Sequence, residues 1–345
     1  MTASSNPILF NLQALRAFAA LNVVLFHILG TANSYGFPTH HLHFLVGWGA
    51  NGVDLFFVLS GFVMVYLLHK QSAKPISAGH FLLDRFTRIA PLYYFLSVVL
   101  FCSVLAFPSV FRSIANISSI DLITSLLFLS QALGFGGPLL FDGWTLEYEM
   151  LFYFILACSL VLPFTRARIF FLTPLVLLLL IIFAGLGTIS LEFVFGMGIA
   201  YLFFFFKERP PFALVIFLVG ITWFCTSLWL TPSMPLLHHR VIQFGLPSAL
   251  IVYGLLGLRQ MQPNSLTHLG DASYSIYLIQ VFTIPAFYKL CSSKVMVSLI
   301  ALIPNPALSF DLLILLCLGF TALCGLLLHH TIERPLIQLA RRCYD

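Results

Sequence analysis

Charge is what this sequence has least of. Only 8% of its 345 residues are Asp, Glu, Lys or Arg, against 60% hydrophobic, where an ordinary globular domain carries about 25% charged residues. That shortage excludes a soluble fold, which would have almost nothing to offer water, and leaves the bilayer as the natural solvent. Paired cysteines are missing as well. The seven Cys are scattered, with no C-x-x-C and no Cys/His metal spacing, so neither a disulfide framework nor a zinc site is expected and no metal is assigned. Cys102, Cys158, Cys225, Cys317 and Cys324 fall inside apolar runs and read as buried, reduced, small apolar side chains. No small-x-small exit site follows the first apolar run, so no cleavable leader is expected. The formal charge of +5 forms no basic stripe. Its Lys and Arg sit in short connections between apolar runs, a mark of membrane topology rather than of nucleic-acid binding.

What the chain has in quantity is apolar runs. A membrane span needs about 20 mostly apolar residues. Candidates run over Leu12–Leu29, Val53–Leu68, Ile89–Phe107, Trp144–Leu162, Ile169–Leu186, Leu191–Phe206, Phe212–Leu230, Val241–Leu258, Ala272–Leu290 and Leu312–His330. A further stretch, Leu122–Leu133, is too short to span. If it does not cross and the N-terminus is inside, Lys70, Lys74, Arg85, Arg88, Arg166, Arg168, Lys207, Arg209, Arg259, Arg334, Arg341 and Arg342 all fall inside. Only Arg112, Arg240, Lys289 and Lys294 then fall outside. If it crosses, Arg166, Arg168, Lys207 and Arg209 are moved outside, against the positive-inside rule. The expected fold is therefore all-α: a polytopic membrane bundle of about ten transmembrane helices, both termini cytoplasmic, forming a single domain over residues 1–345. The connections leave no room for a soluble domain.

Ionisable side chains inside spans are costly and so point to function. In the first helix Arg16 and His27 share one face, about 16 Å apart along the axis, with Arg16 near the cytoplasmic end and His27 in the outer half. The third helix opens on Asp84-Arg85-Phe86-Thr87-Arg88. Two guanidinium forks three residues apart suit a polyphosphate at the cytoplasmic edge, though they also suit plain positive-inside anchors. The fourth helix opens on Asp142-Gly143-Trp144-Thr145-Leu146-Glu147-Tyr148-Glu149. Its two glutamates point about 200° apart, so at most one can share a site with His27, and Glu149 is the deeper. Asp54 and Glu192 also lie near outer helix ends. Ser60 and Gly61 read as small residues that permit close helix packing.

In their order along the chain these segments resemble the acyltransferase-3 family of integral-membrane acyltransferases. The resemblance runs from Leu12–Ala17 with His27, through Gly52–Phe62, Arg85–Tyr94 and Trp144–Tyr153, to Leu269–Leu278 and Glu333-Arg334-Pro335. It implies a multi-pass protein of the cell inner membrane that takes an acyl group, most often acetyl, from cytoplasmic acyl-CoA. The acceptor it implies is a hydroxyl of an extracytoplasmic polysaccharide, a lipopolysaccharide or a lipid-linked glycan. By that resemblance His27 matches the catalytic histidine, Arg85 and Arg88 the R-x-x-R donor motif, with Arg16 as a further donor-binding residue, and Glu149 the acidic residue after the tryptophan. Glu149 or Asp54 would hold the imidazole. Trp144 and Tyr148 are assigned to the acceptor. Two departures stand out. Many members carry His after the Ser-Tyr-Ser-Ile-Tyr-Leu segment where this chain has Gln280, which removes a proton-transfer role there. Some relatives carry a fused extracytoplasmic domain, which is not expected here. The rival reading from the residues is a secondary transporter of a sugar or lipid-linked precursor, but the two halves show no matching interrupted helices.

Overall fold

The structure, a computed structural model, describes residues 9–70, 77–108, 117–161, 169–230, 239–293 and 305–342. Lys74, Arg112, Arg166, Arg168 and Lys294, which carry part of the topology argument, lie outside them. The described residues are helical, with no strand among them. In order the helices are α1 (Phe10–Ala32), α2 (Gly52–Lys70), α3 (Ala78–Ala106), α4 (Ser119–Leu126), α5 (Trp144–Val161), α6 (Ile169–Ala184) and α7 (Leu191–Phe205), then α8 (Ala213–Leu230), α9 (Leu246–Gly257), α10 (Ser265–Asp271), α11 (Ser273–Cys291), α12 (Pro306–Leu328) and α13 (Arg334–Arg342).

Among the described residues six helices are long and apolar enough to cross a membrane: Phe10–Tyr35, His41–Lys70, Ala78–Ala106, Phe141–Val161, Thr188–Phe205 and Ala307–Arg342. Shorter apolar helices cover Ile169–Ala184, Ala213–Trp229 and Val241–Gly257. Every apolar run read from the sequence coincides with a helix, but four of them fall short of that standard of length and hydropathy. Many large apolar side chains face outward, Phe171 at 75% and Phe183 at 81% exposure among them. A surface so apolar suits acyl chains and not water. Cys102 and Cys158 lie on that outer surface, against the expectation of burial. They occupy the outward faces of α3 and α5, where lipid and not protein is the apolar partner.

Two local differences from the sequence reading bear on the site. Helix α3 starts at Ala78, not at Asp84, because the polar turns around Asp84 continue the helix without contributing to hydropathy. Arg85 and Arg88 therefore lie within it. The stretch Leu122–Leu133 forms only α4 and the turns after it. A capping box between Ser118 and Asp121 starts α4, satisfying two orphan N–H groups at once.

The packing divides into two compact units. The first comprises Met1–Ala19, Ala50–Leu82 and Phe152–Asp271. Its centre is α2 against α7. A Cβ at Gly61 would sit 2.1 Å from the Phe193 carbonyl oxygen, and one at Gly196 would sit 2.0 Å from that of Val58. Only glycine permits this backbone approach, which bears out the packing role read for Gly61. Phe193 stacks between Phe57 and Phe152, with both ring separations at 4.5 Å. The second unit comprises Ala20–Gly49, Leu83–Leu151 and Ala272–Asp345. There α11 lies along α12, joined by the Thr283–Thr321 hydroxyl pair at 3.0 Å. Tyr274 donates to the Ile89 carbonyl at 2.7 Å, tying α11 to α3.

Candidate active site

The C-terminal half of α1 carries His27, whose side chain is 23% exposed. Its ring lies edge-on to Phe26 and to Phe141, with centroids at 4.9 and 4.7 Å. Phe141 opens a single turn of 3-10 helix, Phe141–Gly143, that leads directly into α5. The turn brings Asp142 against the imidazole, with Oδ1 3.4 Å from His27 Nε2. Asp142 is 1% exposed. Its other oxygen, Oδ2, accepts from Gln280 Nε2 at 2.9 Å. Its main-chain carbonyl accepts from the Tyr277 hydroxyl and from Thr145 Oγ1, each at 3.0 Å. Side chain and backbone of Asp142 are thus both held, and by residues one helical turn apart on α11. A carboxylate on Nε2 favours the tautomer with the proton on Nε2 and leaves the Nδ1 lone pair free to take a proton.

This geometry corrects the sequence reading. The carboxylate set against His27 is Asp142, where Glu149 or Asp54 was expected. Glu149 comes seven residues later, about 10 Å further along the α5 axis, and lies within electrostatic range of Tyr274 on α11, as Glu333 does. Asp54 is in the first unit. It is fully buried and its two oxygens are gripped by Arg240 through Nε at 3.1 Å and Nη2 at 2.7 Å. The same Nη2 reaches the Ala50 carbonyl at 2.9 Å. Glu192, also fully buried, lies within electrostatic range of Asp54. A carboxylate clamped by a guanidinium fork is poorly suited to orient an imidazole, since its acceptor positions are taken.

The remaining expected residues take the following places. Glu147 accepts from the main-chain N–H groups of Ser130 and Gln131 at 2.9 and 3.0 Å. It pins the connection between α4 and α5 onto α5, which accounts for an acid so near an apolar core. Trp144 and Tyr148 meet edge to face at 5.9 Å. Arg85 and Arg88 lie one turn apart in the second unit, and Arg16 lies on α1 in the first. Two residues were missed. Asp142 stands just before the apolar run, where an acid is ordinary. Gln280 is a neutral amide that was weighed only as a proton carrier. A signal for both existed: Gln280 and Tyr277 share one α11 face, and a buried polar face needs a polar partner.

The chain thus has the surface of a membrane protein and, inside one unit, a half-buried imidazole held by a buried carboxylate, the arrangement of a proton-transfer catalyst. It belongs to the acyltransferase-3 family, whose acyltransferase domain it matches over residues 9–331, and is accordingly a membrane acyltransferase. It is similar to the exopolysaccharide production protein ExoZ of Rhizobium meliloti (strain 1021), with 32% identity over 322 residues, which cover 87% of this chain and 92% of that protein. No solved structure matches the chain.

Proposed function

We propose that the protein is an O-acyltransferase of the cell inner membrane that moves an acyl group, in the first instance acetyl, from cytoplasmic acyl-CoA to a hydroxyl of an extracytoplasmic exopolysaccharide or its lipid-linked precursor. The observation that carries the reading is the Asp142–His27 pair, 3.4 Å apart through Nε2, with Nδ1 left for a substrate. The similarity to an exopolysaccharide production protein supports the acceptor class.

The chain crosses ten times, with both termini cytoplasmic. Arg85 and Arg88 bind the donor phosphates from inside, with Arg16 as a further cation, and the pantetheine arm reaches outward along α1. Arg16 and His27 are about 16 Å apart along that helix, comparable to the length of such an arm. The acceptor hydroxyl enters from outside, bounded by Trp144 and Tyr148. His27 takes the hydroxyl proton on Nδ1 as the oxygen attacks the thioester carbonyl. Asp142 stabilises the resulting imidazolium on the other nitrogen. The C–S bond then breaks, the thiolate takes the proton from His27, and an ester and free CoA result. A placed general base is worth about 10²–10⁴-fold in rate.

The test is acyl transfer by purified protein in nanodiscs, with labelled acetyl-CoA and an oligosaccharide of the producing cell's own surface polysaccharide. The expected result is a labelled ester that depends on His27, and a donor KM that rises in Arg85→Ala. Folded His27→Ala protein that transfers as fast as wild type sinks the mechanism. A wild type that binds no acetyl-CoA but carries a sugar across the bilayer makes it a transporter.

A further inference from the structure

Five residues after His27, α1 ends and the chain enters an outer segment of unusual composition, Tyr35-Gly36-Phe37-Pro38-Thr39-His40-His41-Leu42-His43-Phe44. Its inner side is packed. The Tyr288 ring of α11 is fully buried between Tyr35 and Phe37, stacked on them at 5.2 and 5.3 Å. The Tyr288 hydroxyl donates to the Ile28 carbonyl at 3.1 Å, so the stack is tied to the residue next to His27. The segment's far end, a 3-10 turn over His41–Leu45, is clamped by Asp311 of α12. That carboxylate accepts from the His41 main-chain N–H at 3.2 Å and from Nδ1 of the same residue at 2.7 Å, with Leu42 N at 3.5 Å.

Asp311 is 6% exposed. A carboxylate buried at a helix end in so apolar a chain is costly, and this one holds in place a side chain that faces outward. The His41 side chain is 69% exposed. With Nδ1–H donated to a carboxylate, the ring is held in one orientation and its Nε2 is left as a fixed hydrogen-bonding group. His43 is similar: Nδ1 pairs with Thr39 Oγ1 at 3.0 Å and leaves its Nε2. Directly after His43 in the chain, Phe44 stands 57% exposed. An exposed aromatic face on the same short segment as two oriented hydrogen-bonding groups matches a sugar ring, which offers a patch of C–H bonds on one side and hydroxyls around its edge. A plain lipid-facing aromatic would need no such orientation of its polar neighbours.

Resting on the acyltransferase reading above, we propose that this clamped segment is an acceptor subsite, taking a pyranose ring of the glycan on Phe44 with its hydroxyls on Nε2 of His41 and His43. It would hold the chain beside His27 while a neighbouring sugar is acylated.

The test uses full-length protein in nanodiscs and an oligosaccharide from the producing cell's surface polysaccharide. Binding is read by saturation-transfer NMR on His27→Ala protein, where no chemistry intervenes, and transfer kinetics are read on the active protein. Phe44→Ala and His41→Ala should each raise the acceptor Kd and acceptor KM about tenfold and leave the donor KM unchanged. Asp311→Asn, which keeps the shape but weakens the clamp, should fall between. Phe44→Trp should restore binding. If His41→Ala loses the fold, the exposed Phe44 alone decides. Acceptor binding that is equal in wild type and Phe44→Ala overturns the proposal, as does a wild type that binds no oligosaccharide. A protein that binds the oligosaccharide through Phe44 but transfers no acyl group upholds the subsite and sinks the acyltransferase mechanism instead.

Discussion

Asp54 and Asp142 invite comparison because each is an aspartate buried to 1% exposure or less at the N-terminal end of an apolar helix. They differ in the partner. Asp54 faces Arg240, which grips both its oxygens. Asp142 faces His27 at 3.4 Å and is steadied by Gln280 from behind. An arginine keeps its proton throughout, so the Asp54 pair can only hold elements together, joining the start of α2 to the residue that leads into the π-helical turn Val241–Gly245. A histidine can gain and lose a proton near neutral pH, so the Asp142 pair can take part in a reaction. Residue type and burial are the same. The titratability of the partner separates structure from chemistry.

The sharpest way to break this comparison is to remove each partner in turn. His27→Ala should reduce acyl transfer by about 10²–10⁴-fold with little change in thermal unfolding, read by labelled ester formation and by melting in detergent. Arg240→Ala should do the reverse. It leaves a fully buried carboxylate without its cation, so a loss of about 3 kcal/mol of stability is expected, the low end for a broken buried pair because Arg240 is itself partly exposed. Activity per folded molecule should change little. If Arg240→Ala melts like wild type yet cannot transfer, the division between the pairs is wrong and Asp54 belongs to the reaction.

The two pairs also show what the sequence could yield. The helices were legible because hydropathy is local: each of the ten candidate spans falls on a helix. His27 was legible because a lone histidine in an apolar run is costly enough to need a reason. Asp54 was legible as an anomaly for the same cause, but its partner was not. Arg240 lies 186 residues away and looked like one of the few cations left outside. Asp142 escaped because cost is what betrays a polar residue, and an acid just outside a span carries none until folding buries it. A single turn of 3-10 helix at Phe141–Gly143 turns it inward, and no periodicity announces such a turn. Depth and the match to the family's acidic residue after the tryptophan both point to Glu149, while pairing depends on direction as well.

A smaller effect tests the tautomer. In Asp142→Asn the amide can donate to Nε2 and favour the wrong nitrogen for the proton. Transfer should fall about 10²-fold, less than for a tightly bonded triad aspartate, because the contact is 3.4 Å long. The kcat should carry the loss and the donor KM should not move. An unchanged kcat would mean that Asp142 merely packs beside His27.

The smallest expected effect concerns Gln280, at the position after the Ser-Tyr-Ser-Ile-Tyr-Leu segment where the family resemblance implies histidine. Here Nε2 of Gln280 donates to Asp142 Oδ2 at 2.9 Å; the amide oxygen could not, since a carboxylate only accepts. A hydrogen bond to a charged group contributes about 1.5–3 kcal/mol. Only part of that should reach the transition state, because Asp142 keeps its burial and its main-chain hydrogen bonds. Gln280→Leu should therefore lower kcat about tenfold. Gln280→His offers an N–H at a similar reach and should recover most of the loss. Recovery by histidine would mean that the position serves to donate to Asp142, whichever residue occupies it. A histidine variant that outpaces wild type and brings a new ionisation into the pH profile would mean that a second proton carrier works there, and that the glutamine has given up a step.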